Sequence, residues 1–196
     1  MENKKKILFV IPEYIHGGTN KTLENLLALP CMELYDISIY VLYEDGPDYY
    51  KDKFRSLVLK KSLLYVLVHD NFLTRKIWGL WCKLNHAANF NWLYKYEARK
   101  IQEKIDFDIV VGFQEGAAIE FANKFHSSKI IGWMHGFNKR ISEPSVNSEY
   151  KRCYNDVKNI VCVSKVLADY VSKNIPELAS KICVIHNSLN VEGIVE

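Results

Sequence analysis

The stretch ILFVIPEYIHGGT, residues 7–19, decides the fold of this 196-residue chain. Residues 7–11 are continuously apolar and lie between three lysines and a proline, which is typical of a strand buried on both faces of a parallel sheet. Gly17 and Gly18 follow, and glycines allow a tight turn in which backbone amides approach a ligand. Thr19 is expected to cap the next helix. Because a helix N-terminus stabilises anions, the stretch predicts either a phosphate-binding turn or a plain strand-to-helix connection.

Apolar segments of strand length recur along the chain and alternate with segments of helical period. They span residues 7–11, 37–42, 63–68, 109–112, 130–133, 160–163 and 182–185. This alternation predicts an α/β fold, a Rossmann-like parallel sheet with helices on both faces, in which ligands bind at the carboxyl ends of the strands. A chain of 196 residues suits one domain with a sizeable core, or one half of a two-domain protein.

Two of the helical segments have clear apolar faces. The inner face of the first is expected to consist of Leu23, Leu26 and Leu27. Ser164 is expected to cap a later helix. The inner face of that helix is predicted to consist of Val166, Leu167, Tyr170 and Val171.

Residues 72–105 form the longest helical segment, with an interruption expected near residues 85–91. Aromatic and basic residues accompany its apolar stripe. The segment predicts either a surface that lies on anionic lipid or a helix docked on the sheet with a solvated basic edge.

Bulk composition limits the function. The 26 Lys plus Arg against 23 Asp plus Glu are too small an excess for a dedicated nucleic-acid-binding protein. Five cysteines without C-x-x-C spacing argue against a zinc site or a disulfide framework, and Cys162 and Cys183 are expected to be buried. No segment has the length of a signal h-region or of a membrane span. We therefore expect a cytoplasmic protein, soluble or peripheral at the inner face of the membrane.

Polar or glycine-rich residues follow five of the predicted strands. They are residues 16–19, 114–116, 135–136, 164–165 and 186–188. A parallel sheet brings all five segments to one edge, where a ligand would bind.

The order and wording of these segments resemble the N-terminal domain of the retaining glycosyltransferases of family 4, which have the GT-B fold. The resemblance lies in ILFVIPEYIHGGTNKTL from residue 7, IIGWMHGF from residue 130, IVCVSKVLADYV from residue 160 and CVIHNSLN from residue 183. It implies that residues 1–187 form the Rossmann-like, acceptor-side domain and that residues 188–196 begin an interdomain hinge. It also implies that the family's C-terminal donor-binding domain is not among these 196 residues.

The resemblance also implies a function. Such an enzyme transfers a sugar from a nucleotide-sugar to a hydroxyl of a glycan or lipid-linked acceptor, commonly in cell-surface glycan synthesis, with no metal and no cofactor besides the donor. The isolated half is expected to have negligible activity. The alternative is a non-catalytic Rossmann-like module that binds carbohydrate or a protein partner.

By resemblance, His135 lies near the reacting sugar, where it positions groups or stabilises charge. Glu115 is expected either to accept hydrogen bonds or a proton from the acceptor hydroxyl, or to cap the helix that begins near Gly116. A purely structural histidine is the alternative for His135. The predicted substrate-binding residues are Gly17, Gly18, Asn20, Lys21, Gly136, Lys139 and Asn187. The alternatives are an exposed helical lysine for Lys21, a solvated loop for Lys139 and a turn before the hinge for Asn187.

Overall fold

The computed structural model describes residues 4–13, 17–42, 91–126, 129–136 and 141–189. Six parallel strands form one sheet in the order β2-β1-β3-β4-β5-β6. They are β1 (Lys6–Ile11), β2 (Asp36–Val41), β3 (Ile109–Gly112), β4 (Lys129–Met134), β5 (Asn159–Cys162) and β6 (Ile182–Val184). Six of the predicted strands are thereby confirmed, and the segment 63–68 lies outside the described residues.

Five α-helices and two short 3-10 helices connect the described strands. The α-helices are α1 (Gly18–Leu27), α2 (Asn91–Gln102), α3 (Ala117–Ala122), α4 (Pro144–Tyr154) and α5 (Lys165–Asn174). The 3-10 helices span Pro30–Leu34 and Pro176–Lys181. Of the long predicted segment 72–105, only the part from residue 91 onward is described, and α2 accounts for it.

The helices cover both faces of the sheet, as predicted. On one face α1 packs through Leu23 against Phe9 and Ile11 of β1. On the other face, residues of α2 to α5 belong to the hydrophobic cluster that contains Leu8 and Val10 of the same strand. Side chains of a strand point alternately to its two faces, so β1 is apolar throughout because both of its faces are buried. Each buried side chain of this size contributes about 1.5–3 kcal/mol to stability.

Two glycines that face each other in neighbouring strands bring helices close to the sheet. Gly112 of β3 is the register partner of Gly132 of β4. A Cβ on Gly112 would lie 2.7 Å from Cα of Ile119 in α3, and one on Gly132 would lie 3.0 Å from the ring of Tyr154 in α4. Any side chain at Gly112 would therefore push α3 away from the strand ends.

Three details of the sequence predictions are wrong. Thr19 does not cap α1, because the N-cap residue is Gly17 and no side chain bonds to the cap. Val166 is 73% exposed, because α5 begins at Lys165 and turns its second residue outward. Cys183 is exposed in β6, a three-residue strand at one of the two edges of the sheet.

Other local predictions are confirmed. The Ser164 hydroxyl accepts a hydrogen bond from the Leu167 N–H at 3.2 Å and so caps α5. Leu167 and Val171 of that helix are buried, and Cys162 is buried in β5. In the described ranges, no helix has both the length and the apolar character that a membrane crossing requires.

The strand order places a topological switch between β1 and β3. These two strands are neighbours through pairs such as Val10 and Gly112. The helix after β1 packs on one face of the sheet, whereas the helix after β3 packs on the other. The loops that follow the two strands therefore diverge and leave a crevice, which is where open α/β sheets bind their ligands.

Candidate functional site

The loop after β3 forms one wall of this crevice. The Phe113 N–H donates to the Val10 carbonyl at 2.9 Å, which extends the contact between β1 and β3 by one residue. The chain then turns sharply at Gly116, whose φ of +81° is rare for residues with a side chain, and α3 begins at Ala117. The turn directs the Glu115 side chain toward β4 instead of along α3.

The Glu115 carboxylate bonds to the backbone at the end of β4. Its Oε1 atom accepts hydrogen bonds from the N–H groups of His135 at 2.5 Å and Gly136 at 2.6 Å. No side chain caps α3, so the predicted helix-capping role of Glu115 is wrong. Burial raises the pKa of Glu115 above its ordinary value of 4.5, and the bonded N–H groups act in the opposite direction.

The His135 imidazole lies between aromatic rings and a backbone carbonyl. Its Nε2 is 3.1 Å from the carbonyl oxygen of Phe113. The ring contacts the Phe113 ring edge-on, with centroids 4.8 Å apart, and lies nearly parallel to the indole of Trp133. Burial lowers the pKa of His135 from 6.5 to about 4.

These contacts fix the chemical state of His135. The ring is neutral at pH 7 because its pKa is far below that value. A carbonyl can only accept a hydrogen bond, so Nε2 carries the proton and Nδ1 has the free lone pair. The side chain thus presents an uncharged acceptor at the carboxyl end of β4.

Two buried polar groups flank β4 just below His135. The indole N–H of Trp133 and the hydroxyl of Tyr154 are buried, and neither has a hydrogen-bond partner in the part of the chain that the structure describes. Burial, and then the charge of Glu115, raise the pKa of Tyr154 well above 10.0, so its hydroxyl remains a donor. Sequence reasoning missed Phe113, Trp133 and Tyr154 because aromatic residues in strands and helices are usually core residues.

The other wall of the crevice begins at Gly17 and Gly18, which are exposed at the N-terminus of α1. Gly17 is extended, with φ −162°, and the first turn of α1 contains no acidic residue. The first turn of any helix leaves backbone N–H groups without intrahelical partners and has a partial positive charge. This end of α1 is therefore suited to an anion.

The two polar residues behind the glycines have structural contacts. Asn20 is buried, and its Nδ2 donates to the carbonyl of Glu13 at 3.0 Å, which joins the first turn of α1 to the chain after β1. The Lys21 ammonium is 3.2 Å from Glu24 in an exposed ion pair, and such pairs contribute about 0.2–1 kcal/mol. Their predicted contacts with substrate stay predictions.

The segment after β6 returns along the same edge of the sheet. His186 Nδ1 is 3.1 Å from the Val163 carbonyl, and Asn187 is exposed. Asn25 of α1 donates from Nδ2 to the Ser188 carbonyl at 2.9 Å. The segment therefore extends from the sheet edge to α1.

The structure brings some predicted residues together and leaves others apart. Glu115, His135 and Gly136 form one bonded group, while Gly17 and Gly18 belong to the opposite wall. Lys139 lies outside the described residues. Within the described ranges, no three His, Cys, Asp or Glu side chains are grouped so that they could hold a metal ion.

Comparison with known proteins supports the fold and the family. The model of the family Glycosyltransferase Family 4 matches residues 35–192. The crystal structure of Anabaena Alr3699/HepE in complex with UDP-glucose is similar, with a TM-score of 0.59 and 12% identity over 95% of this chain and 45% of that chain. The structure of the same protein in complex with UDP and glucose has a TM-score of 0.59 and 12% identity over 96% of this chain and 46% of that chain.

A glycosyltransferase from Rickettsia africae ESF-5 is also similar, with a TM-score of 0.53 and 17% identity over 94% of this chain and 43% of that chain. This chain thus spans less than half the length of these proteins. No curated protein sequence matches it significantly. The structural likeness confirms the Rossmann-like fold of a GT-B glycosyltransferase. Because the family model matches most of the chain, the chain belongs to glycosyltransferase family 4 and corresponds to its N-terminal domain.

Proposed function

We propose that residues 1–187 are the acceptor-side domain of a retaining glycosyltransferase and that residues 188–196 begin the hinge to a donor-binding domain. The enzyme transfers a sugar from a nucleotide diphosphate to an acceptor hydroxyl. Membership of family 4 supports the reaction class, and the UDP-glucose complex of a structural neighbour supports a nucleotide-sugar donor. The observation that carries the proposal is the neutral His135 ring at the carboxyl end of β4, bonded to the loop that follows β3.

His135 contributes an uncharged hydrogen-bond acceptor to the reaction. In this proposal Nδ1 accepts a hydrogen bond from a hydroxyl of the donor sugar and so fixes the sugar beside the acceptor. Since Nε2 is already bonded to Phe113, the ring cannot turn to offer its other nitrogen without losing that bond. This suits a positioning role better than a nucleophilic one.

The opposite wall binds the charged part of the substrates. The backbone N–H groups at Gly17 and Gly18 face the crevice at the N-terminus of α1 and bind a phosphate of the donor or of a lipid-linked acceptor. Gly136 leaves space for the acceptor because it is exposed and has no side chain. Lys139 and Asn187 complete the proposed binding surface.

The reaction is proposed to need no metal and no cofactor besides the nucleotide-sugar. The positive end of α1 contributes part of the charge that a metal would otherwise supply to the diphosphate. Transfer rates that are unchanged by EDTA would support this part of the proposal, whereas loss restored by a divalent cation would overturn it.

We further propose that the acceptor belongs to cell-surface glycan synthesis at the inner face of the membrane. Helix α2 exposes Trp92 by 59% and Tyr96 by 51%, beside the exposed Lys95. Aromatic and basic side chains on one helix favour contact with anionic headgroups. Glu103 pairs with Arg99 and Lys100 farther along α2, so the attraction is concentrated in its first two turns.

The decisive experiment is to express the complete reading frame that contains this chain and to assay it with a panel of nucleotide-sugars. His135→Ala should lower transfer by about 100-fold, the scale of loss when a reacting group is no longer held in position. His126→Ala is the matched control, because His126 is exposed in the loop before β4. Carbohydrate binding without any transfer would instead favour the non-catalytic module.

A further inference from the structure

The Glu115 carboxylate joins the ends of two neighbouring strands. Its Oε1 accepts from the N–H of His135 at 2.5 Å and from that of Gly136 at 2.6 Å, although Glu115 itself follows β3. Hydrogen bonds to an ionised carboxylate are roughly twice as strong as those between neutral groups. We call this pair of bonds the Glu115 clamp.

The same loop also holds the ring of His135. Phe113, two residues before Glu115, accepts the hydrogen bond from Nε2 at 3.1 Å. The backbone of His135 is thus fixed by Glu115, and its ring is fixed by Phe113. Together the two contacts determine the direction in which Nδ1 points.

The clamp lies in a partly buried environment. Burial raises the pKa of Glu115, and the N–H groups of Gly136 and His135 counteract that rise. Among the described residues, no Lys or Arg forms an ion pair with Glu115. Since these backbone dipoles stabilise its charge, a proton transfer to the carboxylate would weaken the bonds that hold His135.

We propose that Glu115 is a positioning residue, which fixes the backbone at His135 and Gly136 and through it the direction of His135 Nδ1, and that it exchanges no proton with the substrate. The proposal rests on the function proposed above, because the direction of Nδ1 matters if a sugar hydroxyl binds there. Glu115 is then not the general base for the acceptor hydroxyl and acts on the reaction only through the position of His135.

NMR spectroscopy of this chain tests the clamp without any need for transferase activity. In the unaltered protein the side-chain carboxyl carbon of Glu115 and the amide of Gly136 should titrate together, with a midpoint above 4.5. The ring nitrogens of His135 should show one tautomer, protonated at Nε2. Glu115→Gln should abolish the shared titration and keep the tautomer, because the side-chain amide oxygen still accepts hydrogen bonds.

Glu115→Ala should shift the amides of His135 and Gly136 upfield and give a mixture of the two His135 tautomers. Glu149→Gln, which alters an exposed glutamate of α4, is the matched control and should change none of these signals. If Glu115→Ala leaves the tautomer and the amides as they were, the proposal is wrong. Should that variant not fold, the Gln variant decides, since loss of the single tautomer there would also contradict the clamp.

Kinetics of the complete enzyme separate positioning from proton transfer. At neutral pH Glu115→Gln should retain transfer within about threefold, because it preserves the bonds, whereas Glu115→Ala should lose more. If Glu115 transferred a proton, Glu115→Gln would instead lose about 100-fold or more at that pH. If the enzyme proves inactive with every donor, the NMR result still stands, so failure of the clamp and failure of the proposed function are distinguishable.

Discussion

Gly112 and Ile119 approach so closely that a Cβ on the glycine would lie 2.7 Å from the Cα of Ile119. The nearest atoms on the isoleucine include two backbone atoms, Cα and N, which cannot move without moving α3. The start of α3 follows directly from the loop that contains Glu115. The packing of one helix against one strand therefore sets the position of the site loop.

Gly112→Ala should destabilise the protein by about 1–3 kcal/mol, the cost of forcing extra atoms into a packed core. Gly132→Ala should cost less, because the nearest atom at 3.0 Å belongs to the Tyr154 side chain. Gly18→Ala is the control, since nothing lies within 4 Å of its Cβ position. Urea unfolding measures the free energy of unfolding of the three variants. An equal decrease for Gly112→Ala and Gly18→Ala would contradict the prediction.

His135 should remain neutral well below the pH at which histidines usually titrate. Its pKa is lowered from 6.5 to about 4 because the charged ring loses hydration on burial. In that interval the unfolded chain binds more protons than the folded one, so the His135 contribution to stability is complete above pH 6.5 and is lost as the pH falls toward 4. A ring titration by NMR with a midpoint near 6.5 would show that the ring is not buried as described.

Ser164→Ala should lower the free energy of unfolding by about 1 kcal/mol, the usual value of an N-cap. The loss arises because the Leu167 N–H would lose its partner at 3.2 Å. Thr19→Ala is a sharp control, because Thr19 lies in the first turn of α1 and no side chain caps that helix. Thermal unfolding measures the stability of both variants. A similar decrease in both would contradict the prediction that Ser164 caps its helix and Thr19 does not.

The first turns of α2 should bind anionic vesicles at low salt and release them at high salt, since salt screens charges over about 10 Å at 0.1 M. Trp92→Ala combined with Lys95→Gln should abolish cosedimentation with vesicles that contain phosphatidylglycerol. Lys173→Gln, in the last turn of α5, is a control of equal charge change. Absence of binding by the unaltered chain at low salt would support a helix with a solvated basic edge.

This chain alone should transfer sugar at a negligible rate, because a site between two domains is assembled only when both are present. The measurement is release of nucleotide diphosphate from a panel of nucleotide-sugars in the presence of glycan acceptors. Turnover by the 196-residue chain at rates typical of complete transferases would overturn this expectation.

The strands could be predicted because a strand that is buried on both faces has an unbroken run of apolar residues. Residues 7–11 are apolar at every position, and β1 contributes buried side chains to the hydrophobic clusters on both faces of the sheet. The exposure of Cys183 could not be predicted, because the apolar character of a segment does not tell which strand lies at the edge of the sheet. Strand order arises from long-range pairing.

The site was predictable in outline only. His135 and Glu115 could be placed at strand ends, since parallel strands share their carboxyl edge. Their direct contact could not be foreseen, because it depends on the turn at Gly116, with its φ of +81°, and on a bond between residues twenty positions apart. The prediction that Val166 faces inward failed because the direction of a helical side chain depends on where the helix begins, and α5 begins at Lys165.

The backbone pairing of β3 with β4 ends at Gly112 and Gly132, while β4 continues beside β5 as far as Met134. Beyond these strand ends, side chains replace backbone pairing between the segments that follow β3 and β4. The Glu115 side chain bonds to the backbone of His135, and the His135 side chain bonds to the backbone of Phe113. These two hydrogen bonds continue the connection between β3 and β4 past the end of their backbone pairing. These contacts join the ends of β3 and β4, so the His135 ring is held in place by the protein itself before any ligand binds.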